Sequence, residues 1–128
     1  MKKFNHLRRS PGLSFNIQHE SRNGKRFYET PSGKLYPSIT SILGEFSKKS
    51  IQEWRNRVGA EEANKVSGKA SRRGTRLHSV CERYIQNEDE FLTGELPHIV
   101  ELFKTIEPLL ERVDNIHGVE LALYSDHF

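Results

Sequence analysis

The hydrophobic period of this chain changes at Pro37. Before it, Leu13, Phe15 and Ile17 alternate with polar residues, the two-residue period of a half-buried strand, and Asn23-Gly24 follows as a hairpin turn. A second strand is expected over Lys25 to Thr30, and Pro31-Ser32-Gly33 turns the chain into Lys34-Leu35-Tyr36. Residues 1–36 therefore read as a small antiparallel β-meander. After Pro37, Ile39, Ile42, Leu43 and Phe46 recur at helical spacing, with Ser38 placed as N-cap. Ser50-Ile51-Gln52-Glu53 has the form of a capping box, so a second helix is expected from there to about Val66, with Gly59 weakening it without ending it. A third helix is expected from Ser67 to about Asn87, with Ala70, Leu77, Val80, Cys81 and Tyr84 on its apolar face. Leu96-Pro97 opens a fourth, buried through Ile99, Leu102, Phe103, Ile106, Leu109, Leu110 and Val113, and Pro108 is expected to kink or restart it. Val119, Leu121 and Leu123 again alternate, which predicts a strand within 116–125. The fold class is α+β: a meander, helices over 37–113 and one late strand.

Only 34% of the 128 residues are hydrophobic and 29% are charged, which suits a single modest domain. No apolar run approaches the roughly 20 residues of a membrane span, and no apolar segment of a secretory signal follows the basic start, so a cytoplasmic protein with no membrane partner is expected. The first 19 residues hold no acid, as in a mitochondrial transit peptide, but the strand pattern already begins at Leu13. A single cysteine, Cys81, excludes an internal disulfide and a cysteine-based zinc cluster, and its neighbours Leu77, Val80 and Tyr84 suggest a buried thiol.

The net charge of +3 conceals a division: residues 1–76 hold 17 Lys/Arg against 6 Asp/Glu, and residues 77–128 hold 3 against 11. A strongly basic segment is expected to meet a polyanion, most often nucleic acid. Lys48, Lys49, Arg55, Arg57, Lys65, Lys69, Arg72, Arg73 and Arg76 cluster around Trp54, a mixture that binds phosphates and stacks bases; the alternative is a solvated face. On the third helix, His78 and Glu82 stand at i, i+4 just off the apolar face, with Gly74 leaving room beside them. They form either an exposed helical pair or two ligands of one cation, which would need more.

Three runs together resemble a known family: RFYETPSGKLYPSITSIL from Arg26, W-R-x-R-V-G from Trp54 and RGTRLHSVCERY from Arg73. They are similar to the N-terminal half of phage-type exonucleases of the PD-(D/E)XK superfamily, relatives of the mitochondrial genome maintenance exonuclease and of the nuclease domain of RecBCD. The resemblance covers about Lys25 to Tyr124. It implies a restriction-endonuclease-like fold in which 116–125 is the first core strand, His78 is a metal ligand for Mg²⁺ or Mn²⁺, and Glu82 and Glu120 are catalytic-site carboxylates. It also implies DNA, as single strands or ends, as the partner. The residues expected to hold it are Ser38, Thr40, Ser41, Trp54, Arg55, Arg57, Lys69, Arg72, Arg73 and Arg76, the first three at a helix N-terminus that could cradle a phosphate.

The sequence departs from that family at its chemistry. The expected G-x-x-D and Asp/Glu-x-Lys segments, which would hold the metal and polarise the attacking water, are not among these 128 residues, and Asp126 lacks the strand context to replace them. The chain is thus expected to be a partial nuclease domain of phage-type replication or recombination, inactive alone, in host cytoplasm if phage-encoded. It would pair with a C-terminal half or self-associate through an unpaired strand edge. The alternatives are a non-catalytic or split-enzyme DNA-binding module and a helical protein-interaction domain.

Overall fold

The computed structural model describes residues 1–8 and 17–127. Its elements are β1 (Gln18–Arg22), β2 (Lys25–Glu29), β3 (Leu35–Pro37), α1 (Ile39–Val58), α2 (Ala60–Ile85) and α3 (Pro97–Leu110), an α+β content. They fall into two compact units, one of Met1–Arg9 with Asn64–Glu120 and one of Ser10–Ala63 with Leu121–Phe128.

In the second of these units the strands form an antiparallel sheet of order β1-β2-β3. Arg22 pairs with Lys25 across Asn23 and Gly24, which both take positive φ, 51° and 73°, as a two-residue turn matched to strand twist requires. The expected strand at Leu13 and Phe15 lies outside the described residues, and Ile17 precedes β1. The buried Thr30 closes the next turn: its N–H donates to Lys34 O at 2.8 Å, its carbonyl accepts from Gly33 N–H at 2.9 Å, and its Oγ1 accepts from Lys34 N–H at 3.2 Å. α1 begins where expected, with Ser38 Oγ accepting from Ser41 N–H at 3.1 Å. It does not stop at Ser50, whose hydroxyl donates to Ser47 O at 3.0 Å within the preceding turn, while Glu53 pairs with Lys49. The break falls instead at Gly59, whose φ of 90° and ψ of 151° no helix can hold, so the glycine ends one helix and precedes the next. Beyond residue 120, Asp126 accepts hydrogen bonds from the Tyr36 hydroxyl and, at 3.3 Å, from Lys34. These hold its carboxyl below the usual range, the Tyr36 bond being the main cause.

The other unit is built on aromatic packing. Val80 and Tyr84 of α2, Ile99 and Phe103 of α3, Phe91 between them and Phe4 near the N-terminus form the core. Tyr84 is its hub: its ring lies 5.2 Å from Phe4 and 5.1 Å from Phe103 in edge-to-face pairs, and 5.0 Å from Phe91 in a tilted one. α3 starts at Pro97 and buries Ile99 and Phe103, four residues apart. Pro108 sits in its last turn and does not restart it, the helix running through to Leu110; Leu109 and Val113, expected on its buried side, are exposed. Ala70 is likewise exposed, the apolar contact of α2 beginning only at Leu77.

α2 ends in a Schellman motif. Asn87 takes φ 64°, its N–H donates to Tyr84 O at 3.0 Å, and Glu88 N–H donates to Arg83 O at 3.0 Å. The Asn87 amide then grips the N-terminal segment: Phe4 N–H donates to its Oδ1 at 2.7 Å and its Nδ2 donates to Phe4 O at 2.9 Å. Around this anchor Lys2 Nζ donates to the carbonyls of Glu111 and Val113 at 2.7 and 2.6 Å, just beyond α3, and His6 Nε2 donates to Ile85 O at 2.7 Å. Asn5 and Leu7 bracket Ile116 in a single parallel bridge.

That bridge is the only pairing the expected strand over 116–125 makes among the described residues. No strand forms there, so 116–125 is not a first core strand as expected: no neighbouring strand supplies partners, and Glu120 at φ 54° leaves the extended region. The unpaired strand edge foreseen for self-association is therefore not present at this segment.

Two outcomes follow for the aromatic core. Phe4→Ala removes a ring that is 4% exposed and should cost about 3–5 kcal/mol, read by chemical denaturation. A loss under about 1 kcal/mol would show the segment to be dispensable. Burial pushes the Tyr84 phenol up to about 12, so its neutral form is favoured in the folded state. The stability it confers is present below pH 10 and should be lost as pH rises from about 10 to 12; Tyr84→Phe should flatten that decline.

Candidate functional site

α2 is both the wall of the candidate site and the carrier of its charge. His78 and Glu82 stand one turn apart, and with Gly74 a turn earlier they border a cavity of about 420 Å³. Leu77, Cys81 and Ile85 of α2, Ile106 of α3 and Val119 supply its apolar lining, and Glu120 closes its rim. His78 Nε2–H donates to Glu120 Oε1 at 2.6 Å, across 42 residues of sequence. Both side chains are more than half exposed, so the contact contributes under about 1 kcal/mol. Glu82 Oε1 accepts from Gln86 Nε2 at 3.3 Å along the same helix. Glu120 holds its place with a positive φ, a conformation that costs a non-glycine residue of order 1 kcal/mol or more. Burial raises the Cys81 thiol above its ordinary value, which keeps it protonated and poorly nucleophilic at neutral pH.

The three residues expected at a metal site are thus brought to one cavity. Their donor chemistry suits a divalent cation, one imidazole and two carboxylates. Their positions do not, because His78 and Glu120 bond each other, and among the described residues no three His, Cys, Asp or Glu side chains are grouped to hold a metal ion.

The residues expected to hold DNA are placed in three groups. Ser38, Thr40 and Ser41 bond one another at the start of α1, Ser38 Oγ lying 3.1 Å from Thr40 Oγ1 and 2.8 Å from Ser41 Oγ. Thr40 and Ser41 border a cleft of about 520 Å³ beside Asn23, Lys25 and Lys48, but both lysines lie against Glu45, at 2.8 and 3.9 Å, which offsets their charge. Trp54 and Arg55 are half-buried on α1 and Arg57 is exposed in its last turn. On α2, Lys65, Lys69, Arg72 and Arg76 fall within about 60° of one another at 100° per residue, a stripe about 16 Å long, with Arg73 beside it.

Arg76 is not wholly available. Its Nε donates to Glu95 Oε2 at 3.1 Å, and Arg83 Nη2, two turns on, donates to Glu95 Oε1 at 2.8 Å. The Glu95 side chain is only 9% exposed. Reading the sequence missed this carboxylate, as it missed Asn87 and Phe4. The one signal available was Asn87 at the end of a helical pattern, where a left-handed residue is common. No family model, no curated protein and no solved structure matches this chain. No helix among the described residues is long and apolar enough to cross a membrane.

The Glu95 pair sets an order of sensitivity. Glu95→Ala leaves two arginines without their acceptor and should destabilise by about 1–3 kcal/mol, Arg83→Ala by less, and the half-exposed Arg76→Ala by under about 1 kcal/mol. Urea denaturation of the three variants checks the ranking, and Arg76→Ala as the most damaging would refute it.

Proposed function

We propose that this chain is the DNA-holding, N-terminal part of a metal-dependent exonuclease of the PD-(D/E)XK type, used in phage-type replication or recombination and silent by itself. The observation that carries the reading is the cavity that gathers His78, Glu82 and Glu120. These are the three positions the family resemblance singles out, and Glu120 joins the other two from 38 or more residues away in sequence. In that reading a C-terminal half would supply the aspartate and the Asp/Glu-x-Lys carboxylate that a Mg²⁺ or Mn²⁺ site beside His78 would need, with the lysine of that segment acting on the attacking water. Among the described residues the three side chains do not converge on one point.

What this chain does in that reading is hold the strand. Lys65, Lys69, Arg72 and Arg73 are exposed on α2 and attract phosphates through charge, with release of the counterions that DNA condenses. A non-catalytic DNA-binding module is the second reading, favoured by the same stripe, and self-association remains a property to be measured alongside.

Affinity for a single-stranded oligonucleotide should fall steeply with salt, each phosphate contact adding about 0.7–0.9 to the log–log slope, and the combined Arg72→Ala, Arg73→Ala, Arg76→Ala variant should flatten it. Affinity that is indifferent to salt would refute the reading. With Mg²⁺ or Mn²⁺ the pure chain should release no nucleotides until a C-terminal half carrying the Asp and Asp-x-Lys segments is added, and that activity should need His78 and Glu120. Cleavage by the chain alone, abolished in His78→Ala, would reassign the catalytic groups.

A further inference from the structure

α1 is 20 residues long and none of its side chains is fully buried. On one side, Gly44, Lys48 and Ile51 face the cleft shared with Asn23, Gly24 and Lys25. The opposite side carries exposed apolar groups. Ile39, Ile42, Leu43 and Phe46 present an apolar strip over the first two turns, with Phe46 84% exposed and Ile39 70% exposed. At 100° per residue, Trp54 and Arg57 continue that strip within about 80° of Phe46, and Lys49 flanks it. Phe46 and Trp54 are eight residues apart, about 12 Å along the axis.

We propose that this face of α1 is a stacking platform for unpaired bases of a single-stranded nucleic acid, with Phe46 as its principal contact. The inference rests on the reading of the chain as a DNA-holding part and adds to it a contact made by ring faces in place of charge. Two features of the face select this occupant. It combines the exposed Phe46 ring and the half-buried Trp54 with the cation of Arg57, while Lys49 at its flank is paired with Glu53, and rings beside a cation are what a strand of splayed bases and phosphates requires. It also carries Arg57 and the ion pair Lys49–Glu53 at 4.0 Å, which a dry seam with a second copy or the acyl layer of a membrane would strip of water at a large cost. A single strand leaves those groups solvated.

The test uses the full chain and its one tryptophan, Trp54, which reports binding on α1 directly. Oligothymidylate should quench Trp54 fluorescence, and an abasic phosphodiester oligomer of equal length and charge should bind roughly fivefold or more weakly, the equivalent of about 1 kcal/mol for each base stacked. Phe46→Ala should lose that advantage of bases over abasic sites while keeping the salt slope, and Phe46→Tyr should retain it. Because Phe46 is exposed, far-UV circular dichroism and the denaturation midpoint should be unchanged in both variants. The inference is overturned if Phe46→Ala binds both oligomers as the parent does. It is equally overturned if Trp54 responds to anionic phosphatidylserine vesicles and not to oligothymidylate, or if sedimentation shows the face occupied by a second copy. Loss of binding in the α2 arginine variant with no effect of Phe46→Ala would leave the DNA-holding reading standing and remove this one; no oligonucleotide binding at all would remove both.

Discussion

A side-chain amide that imitates a strand holds together the unit containing the cavity. The Asn87 amide makes two hydrogen bonds to the backbone of Phe4, one as acceptor and one as donor, and so treats a single residue as a β-ladder would. The position is available because Asn tolerates the left-handed conformation that ends α2. A glycine there would end the helix equally well and could not grip Phe4. Once Phe4 is fixed, its ring edges onto Tyr84, Tyr84 contacts both Phe91 and Phe103, and α2 and α3 acquire a common core. The walls of the cavity, Leu77 to Ile85 on one side and Ile106 on the other, stand on that core. The flanking polar contacts reinforce the arrangement. Asp114 accepts from the backbone N–H of Asn5 at 2.7 Å, and this bond is the first cause of a carboxyl held below its usual range.

Charge is arranged on α2 with a gradient of availability. Its basic stripe is exposed at Lys65, Lys69 and Arg72 and then meets the nearly buried Glu95, which takes Arg76 and Arg83. The acidic part of the sequence is therefore not only solvated surface. One carboxylate neutralises the end of the stripe nearest the core, where unpaired guanidinium groups would be costly to bury. On the other side of the same helix, His78 and Glu82 face a cavity with a carboxylate of their own.

Much of the local structure was legible in the sequence because it depends on neighbours along the chain. The Asn23-Gly24 hairpin, the Ser38 cap, the apolar face from Leu77 to Tyr84 and the start of a helix at Pro97 all follow from turn chemistry and spacing. The failures have different causes. Ser50-x-x-Glu53 has the pattern of a capping box but lies within a helix already under way, where the serine bonds backwards, so the pattern signals a start only where a start is possible. Alternation at Val119, Leu121 and Leu123 describes half of an interaction, and without a neighbouring strand the segment has no ladder to join. For the candidate site, the His78 and Glu82 pair was visible as helix spacing. The approach of Glu120 to His78 was not visible in spacing and followed only from the family resemblance. Phe4, Asn87 and Glu95 were invisible because each acts on partners far away in sequence or across a loop.

The anchoring of Phe4 also sets the order in which this polypeptide can become structured. The strands and α1 draw on residues between 18 and 58 and need nothing later to pair their backbones. Phe4, although it precedes them, has to wait for Tyr84 and Asn87, and the carbonyl groups that Lys2 satisfies lie beyond residue 110. At a synthesis rate of about 5–20 residues per second, roughly 4–17 seconds separate Phe4 from Asn87. During that interval an apolar ring and a cluster of basic side chains trail from the ribosome without their partners. The contacts of longest sequence separation are the last to form and the slowest to find. A bulky group joined ahead of Met1 would thus act on folding rate and yield before it acted on anything the finished protein does.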